Sequence, residues 1–276
     1  MEETINVVHE TTKIIRDYYD ANVEAEWTRI ANRPEFLLTC RMLDRYIKPS
    51  QKVLDIGGGP GRYSLYLASR GCDVTLFDLS PQNTKFAASQ ALEQGLTLKT
   101  ITGDACKADE LTQEKYDHIL LMGPMYHLLE EYERVQAVNA ALNLLVPGGI
   151  IYVSFINMMG GIIYSMKESP EILMSNDPSE VTFIQNFIDK KSYKGNAFTQ
   201  AFFIEQSEIL PFMSQFPLTK LHMISQEGVL SPCESNIMSQ SHEIINKWLD
   251  LCEKIWEREE FQSWAEHLLY VGRKIT

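Results

Sequence analysis

The sequence predicts an α/β domain: a mostly parallel sheet with helices on both faces and helical additions over one edge. Three observations carry that expectation. Strand-like apolar runs alternate with helical segments between Lys52 and Phe155. The first run leads directly into a glycine cluster, Val53-Leu-Asp-Ile-Gly-Gly-Gly-Pro-Gly61. A long uncharged stretch is broken at its centre by Pro147-Gly148-Gly149. Alternation at this spacing calls for parallel strands joined by helical crossovers. In such sheets ligands bind beyond the carboxyl ends of the strands, near the point where strand order reverses. The glycine cluster follows the first strand, so it lies on that edge.

Residues Glu2 to about Ile47 read as helical, with apolar spacing at Ile14, Ile15, Tyr18 and Tyr19 and again at Leu37, Leu38, Met42 and Tyr46. Strands are expected at Lys52–Ile56, Asp73–Phe77, Leu96–Ile101, His118–Met122 and Ile150–Phe155. The helix after the second strand carries boundary signals: Ser80 as N-cap, Pro81 at the first helical position and Gly95 beyond the end. From Asn157 to Ala201 the pattern is irregular. A helix at Gln206–Gln215, a strand at Thr219–Ser225, helical sequence from Ser235 to Glu260 and a last strand at His267–Gly272 complete the order. The expected organisation is a helical cover over residues 1–48, a ligand-binding core over 49–156, and the remainder of the same domain over 157–276 with inserted cover segments.

Composition excludes several classes. The formal net charge is −12, which opposes long-range attraction to nucleic acid or an anionic membrane surface. Five cysteines form no C-x-x-C pair, which fits free thiols in a reducing compartment and supplies no metal site. The acidic start Met1–Val8 lacks a signal-peptide core, and the expected location is cytoplasmic. Val135–Met166 has no charged residue and is long enough to span a bilayer, but the Pro-Gly-Gly break reads more simply as helix, turn and buried strand.

The glycine cluster decides the ligand class. A phosphate-binding P-loop needs Gly-Lys-Ser or Gly-Lys-Thr after its glycines, and neither is present. A dinucleotide fingerprint needs a third glycine where this chain has Arg62 or Ser64, depending on register. What matches is Asp55-x-Gly57-x-Gly59-x-Gly61, followed by a second acid, Asp78, at the end of the next strand. Glycines allow close backbone approach. An acid at the second strand end can accept hydrogen bonds from ribose hydroxyls. An acid near the first turn suits an ammonium or sulfonium and repels a phosphate. Adenosine joined to a cation fits best.

With these motifs the sequence resembles the class I S-adenosylmethionine-dependent methyltransferases, closely from Lys52 to Phe155 and more loosely in the last strands. That resemblance implies a Rossmann-like sheet of seven strands, S-adenosylmethionine as cofactor and S-adenosylhomocysteine as its product. It implies that Gly57, Gly59 and Gly61 form the cofactor turn, with Asp55 before it. By the same likeness Asp78 binds ribose and Leu79 packs on adenine. Asp104 with Ala105 reads the adenine amino group, and Met122, at the end of the fourth strand, touches the methionine part. Leu144-Leu-Val-Pro-Gly-Gly149 matches the turn before the fifth strand. Tyr19 and Arg29 become candidates for the methionine carboxylate, with Trp27 as a pocket wall.

Methyl transfer is an in-line displacement whose difficult chemistry resides in the cofactor. Gly123-Pro-Met-Tyr-His-Leu128 would lie beside the departing methyl group. His127 is a candidate general base and Tyr126 a candidate for orienting the acceptor, the alternative being that His127 holds the loop through backbone bonds. Met-Gly-Pro-Met at this point departs from the Asn/Asp-Pro-Pro-Tyr/Phe of nucleic-acid amine methyltransferases. The Met and aromatic residues of the insertion, Met158–Tyr164 with Phe183, Phe187, Phe198, Phe202 and Phe203, are expected either to line an apolar acceptor pocket or to form core. The expected acceptor is a small molecule. The alternatives are RNA or protein as acceptor, or a module that binds the nucleoside without turnover.

Overall fold

The computed structural model describes residues 2–31 and 33–275, with side chains from residue 10 onward. The side chains of Met1–Val8, on which the signal-peptide reading rests, lie outside that description. The N-terminal helical tract divides into α1 (Glu2–Ala21), α2 (Val23–Ile30) and α3 (Pro34–Tyr46), with Pro34 at the first position of α3. Then follow β1 (Lys52–Ile56), α4 (Arg62–Ser69), β2 (Asp73–Asp78), α5 (Pro81–Glu93), β3 (Lys99–Thr102), α6 (Ala108–Leu111), β4 (Tyr116–Leu121), α7 (Glu131–Leu144) and β5 (Leu145–Ile156). The insertion is α8 (Met158–Glu168), α9 (Pro178–Ile188), β6 (Tyr193–Asn196) and β7 (Gln200–Phe203). The chain ends with α10 (Gln206–Met213), β8 (Leu218–Ser225), α11 (Glu234–Met238), α12 (His242–Ile255), α13 (Glu259–Gln262) and β9 (His267–Lys274).

Seven strands form one sheet in the order β3-β2-β1-β4-β5-β9-β8. The five from β3 to β5 are parallel, and β9 runs antiparallel between β5 and β8. Alternate residues of each strand feed opposite faces, as the period of two requires. Leu54, Ile56, Ile119, Leu121, Ile151, Val153, Leu268 and Tyr270 join one core cluster. Val53, Leu120, Ile150, Tyr152, Leu269 and Val271 join the other. Both faces are covered, so the central strands read as nearly unbroken apolar runs.

Two boundaries differ from the sequence reading by more than two residues. Leu96–Leu98 does not belong to β3. Gly95 adopts φ 66° and Leu96 N–H bonds the Ala91 carbonyl at 2.8 Å, so this segment closes the end of α5. β5 begins at Leu145, before the Pro-Gly-Gly. Leu145 pairs with Tyr116, the register shifts, and pairing resumes at Ile150 with His118. Pro-Gly-Gly is therefore an irregularity within the strand, not a turn ahead of it. The uncharged Val135–Met166 stretch is the end of α7, β5 and the start of α8. Among the described residues no helix is long and apolar enough to cross a membrane.

Strand order reverses between β1 and β4, whose carboxyl ends lie side by side. α1 and α2 contribute residues to the cleft above that point.

Candidate functional site

The cleft at the switch point holds about 1190 Å³ of space, part of it open to solvent. Of the residues singled out from sequence, Asp55, Gly57, Gly59, Asp78, Leu79, Asp104, Ala105, Met122, Tyr126, His127, Tyr19 and Arg29 all line it. Gly61 does not. It caps α4 with φ 92°, and a Cβ there would meet Ala87 at 2.9 Å, so it is glycine for the packing of α4 on α5.

At the glycine-loop end, Gly57 takes φ 74°, and a Cβ there would meet the Pro124 ring at 2.4 Å. Absence of a side chain lets the loop after β4 close against the loop after β1. The Asp78 carboxylate receives hydrogen bonds from Gly59 N–H at 2.8 Å, Ser80 N–H at 2.8 Å and Asn83 Nδ2 at 3.1 Å. Burial raises its pKa above the ordinary carboxylate value, against the pull of those donors. Three of roughly four acceptor positions are thereby used, leaving a narrow share for a ligand hydroxyl. Asp55 lies beneath the loop. It accepts Ser64 Oγ at 2.7 Å, and burial pushes its pKa up to about 7. Asp104 bonds Cys106 N–H at 2.9 Å, holding the turn that presents Ala105. Glu133, which the sequence reading passed over, lines the same end, and Glu130-x-x-Glu133 forms the capping box of α7.

The cover is pinned to both ends of the cleft. Ser80 Oγ donates to Asp20 of α1, next to Asp78. Tyr19 reaches the other end, where its hydroxyl lies 2.6 Å from His127 Nε2. His127 Nδ1 lies 3.1 Å from the Gln200 carbonyl. A carbonyl only accepts, so Nδ1 carries the proton and Tyr19 donates to Nε2. Burial lowers the His127 pKa to about 4, which keeps the ring neutral. Its basic nitrogen is thus already occupied in this arrangement. Burial also raises the pKa values of Tyr19 and Tyr126.

Arg29 is the only cationic side chain among the described residues lining the cleft. Burial works against its charge, but Glu35 and Glu26 outweigh it and hold the guanidinium protonated. Arg29 Nε donates to Glu26 at 2.9 Å, and its Nη1 lies 3.9 Å from Glu35. Trp27 is not a wall of the cleft. It stacks on the outside, under the Arg62 guanidinium at 3.3 Å and edge-on to Phe86, and so ties α2 to α4 and α5.

The insertion also departs from the apolar lining considered for it. Met158, Phe183, Tyr193 and Phe203 form a small core of their own, with Tyr126 and Phe187 packed against it. Phe202 joins the main core. These residues support Tyr126 from behind instead of facing a ligand. The far wall is polar: Glu35, Ser154 and Gln226. Ser154 Oγ donates to Gln226, whose Nε2 donates to Thr39 at 2.9 Å. Beside them Glu227 accepts His267 N–H at 3.0 Å and lies 2.6 Å from His267 Nδ1. Burial lowers the His267 pKa, but Glu35 and Glu227 more than reverse this and push it up to about 9. Glu35, Glu227 and His267 each place one possible metal-ligating atom within 4.8 Å of the others. The sequence reading named no metal site, and no spacing rule links positions this far apart.

Residues 53–149, from β1 into β5, match the family model described as a methyltransferase domain. That stretch is a methyltransferase domain. The resemblance to class I S-adenosylmethionine-dependent methyltransferases read from the motifs therefore holds. The chain is 31% identical over 129 residues to a ubiquinone biosynthesis O-methyltransferase of Aeromonas salmonicida, covering 44% of this chain and 53% of that one. It thus spans about half the length of that relative. Among solved structures, the Burkholderia thailandensis 1,6-didemethyltoxoflavin-N1-methyltransferase superposes with TM-score 0.60 at 17% identity, covering 97% of this chain and 90% of that chain. The N-methyltransferase NodS of Bradyrhizobium japonicum superposes with TM-score 0.53 at 14% identity, covering 89% and 90%. These two likenesses show that the methyltransferase domain and its additions share one fold with both.

Proposed function

We propose that the protein transfers a methyl group from S-adenosylmethionine to a small-molecule acceptor. One observation carries the reading. Four acidic side chains, Asp55, Asp78, Asp104 and Glu133, and no cationic side chain line the glycine-loop end of the cleft among the described residues. That field suits a nucleoside bearing a sulfonium and opposes a diphosphate. The two solved structures above carry S-adenosylhomocysteine by their descriptions, which supports the same cofactor here. Asp78 would meet ribose, Leu79, Asp104 and Ala105 adenine, and Met122 the methionine part. Arg29 is the group on hand for the carboxylate.

The cofactor supplies the electrophilic methyl group. The chain's own work is to align the acceptor, exclude water and take up any proton released. α1 and α2 lie over the cleft, tied down through Tyr19, Asp20 and Trp27, which supports a small acceptor over RNA or protein. The A. salmonicida relative is named for O-methylation and the two solved structures for N-methylation.

Incubation with methyl-labelled S-adenosylmethionine and separate metabolite, RNA and protein fractions tests the reading. Label should enter the metabolite fraction alone. Label in RNA or protein would reassign the acceptor, and tight S-adenosylhomocysteine binding with no label anywhere would indicate a non-catalytic module.

A further inference from the structure

We propose that Glu35 and Tyr63 form the acceptor-recognition subsite of the cleft. The acceptor they select is a flat, neutral nitrogen heterocycle that gives a ring N–H to Glu35 and takes the Tyr63 hydroxyl on a carbonyl or ring nitrogen. The inference rests on the methyltransferase reading and deepens it. Its basis is that both residues line the cleft, and that the Tyr63 hydroxyl and the Glu35 carboxylate are held by no hydrogen bond to any described residue. Adenosine would occupy the β1-β2-β3 end, so the acceptor is left with the far end. Glu35 and Thr39 stand one turn apart on α3 at that end, where Thr39 accepts Gln226 Nε2 at 2.9 Å and Gln226 in turn holds Ser154 of β5.

Tyr63 lies in the first turn of α4 and is only 7% exposed. Its ring is fixed against Phe36 of α3, with centroids 5.1 Å apart. Thr39 comes near the hydroxyl without reaching hydrogen-bond geometry. Burial, and after it the charge of Glu35, raises the Tyr63 pKa well above the ordinary value, so the hydroxyl stays a donor. Buried polar groups are paired as a rule, because an unpaired one is costly. A cleft residue that keeps such a group is placed to meet a ligand.

Glu35 is the complementary case. Its side chain is 12% exposed, and its ion-pair partner among the described residues, Arg29, stands 3.9 Å away. The charges around it cancel without it. Arg29 is bonded to Glu26 at 2.9 Å, protonated His267 lies 2.6 Å from Glu227, and Arg33 and Lys167 hold Glu234 and Glu266. Glu35 is the carboxylate left over, and it opposes an anionic acceptor. A cationic acceptor meets the cofactor's sulfonium, and a protonated amine has no lone pair to offer the methyl group. A neutral N–H satisfies the carboxylate without either conflict. Tyr126, which lines the cleft and is backed by the core of the insertion, supplies an aromatic face on which a flat ring can stack.

The test uses 2-quinolone, a fluorescent bicycle with a ring N–H beside a carbonyl, and coumarin, which has the same shape with oxygen in place of the N–H. Each is titrated into the full-length protein saturated with S-adenosylhomocysteine. Wild type should bind 2-quinolone at least about tenfold more tightly than coumarin, whose ring oxygen leaves Glu35 unpaired. Glu35→Gln should erase most of that preference. Tyr63→Phe should weaken both probes about fivefold, the loss of one hydrogen bond to their shared carbonyl. Its urea midpoint should be unchanged or raised, since no bond of the unliganded protein is lost. Both variants should keep S-adenosylhomocysteine affinity within about threefold of wild type by calorimetry. A preference that survives Glu35→Gln overturns the proposal, as does a preference that EDTA removes, which would make Glu35, Glu227 and His267 a cation site. Loss of S-adenosylhomocysteine affinity in Glu35→Gln also overturns it and gives the carboxylate to the methionine ammonium. A lowered urea midpoint in Tyr63→Phe with probe binding intact would make the hydroxyl a structural partner of Thr39. Equal binding of the two probes, or of neither, by wild type that binds S-adenosylhomocysteine refutes the subsite and leaves the methyltransferase reading standing. Failure of wild type to bind S-adenosylhomocysteine removes that reading first.

Discussion

The two ends of the cleft are built in opposite ways. The glycine-loop end comes from consecutive strand ends, its chemistry held by backbone N–H groups and three aspartates within about fifty residues of one another. The far end gathers Tyr19 from α1, Glu35 from α3, Tyr126 and His127 after β4 and Gln226 after β8, with Glu227 and His267 beside them. The first is a local object that a short motif specifies. The second exists only because β8 ends, and the antiparallel β9 inserted between it and β5 begins, at the ligand edge.

That contrast can be broken or sharpened. The largest effect is expected from Asp78→Ala, which removes both a ligand acceptor and the anchor of three donors. S-adenosylhomocysteine affinity should fall by about 100-fold, the equivalent of about 3 kcal/mol for charge-assisted bonds, measured by calorimetry. Unchanged affinity would remove the ribose assignment. Gly57→Ala comes next: a left-handed backbone plus a 2.4 Å approach to Pro124 should cost about 2–3 kcal/mol of folding stability in urea titration.

At the other end the effects should be smaller singly. Tyr19→Phe removes one buried hydrogen bond to His127 and should cost about 1 kcal/mol, while weakening the hold of α1 on the site. Limited proteolysis within α1 would report that release; wild-type resistance in the variant would show that Asp20 and the other contacts suffice. The last signal vanishes at neutral pH and is a slope on the acid side of it. The His127 pKa in the fold is about 4, below the ordinary 6.5, so the unfolded chain binds the extra proton between those values. Stability should therefore fall as pH drops from 6.5 towards 4. His118, lowered to about 4 by the same cause, adds to the slope, whereas Asp55, raised to about 7, opposes it. His127→Asn should flatten the urea-midpoint profile over that window by up to about 3 kcal/mol. An identical profile would mean that solvent reaches the ring.

The legible part of the site was the part with local causes. Asp55, Gly57, Gly59 and Asp78 could be placed together because turn geometry and strand ends are properties of adjacent residues. Gly61 was misassigned because a glycine for helix packing and a glycine for ligand approach look alike in a motif. The Met and aromatic residues of the insertion were ambiguous for a similar reason, since apolar residues lining a pocket and apolar residues forming a core obey the same pattern. Trp27 was assigned inward, and only Arg62 and Phe86 beside it reveal the outward stack.

By itself the sequence determined the order of strands and helices from Lys52 to Phe155 and the phosphate-free character of the glycine-loop end, which follow from periodicity and short-range spacing, and its motifs carried the resemblance to the class I methyltransferases. Only the tertiary structure decided which histidine is held neutral and which is held protonated. His127 and His267 are alike as letters, and what separates them is a tyrosine hydroxyl on one and a carboxylate behind the other. Those partners lie in segments far apart along the chain, and side-chain protonation depends on the neighbours that folding supplies.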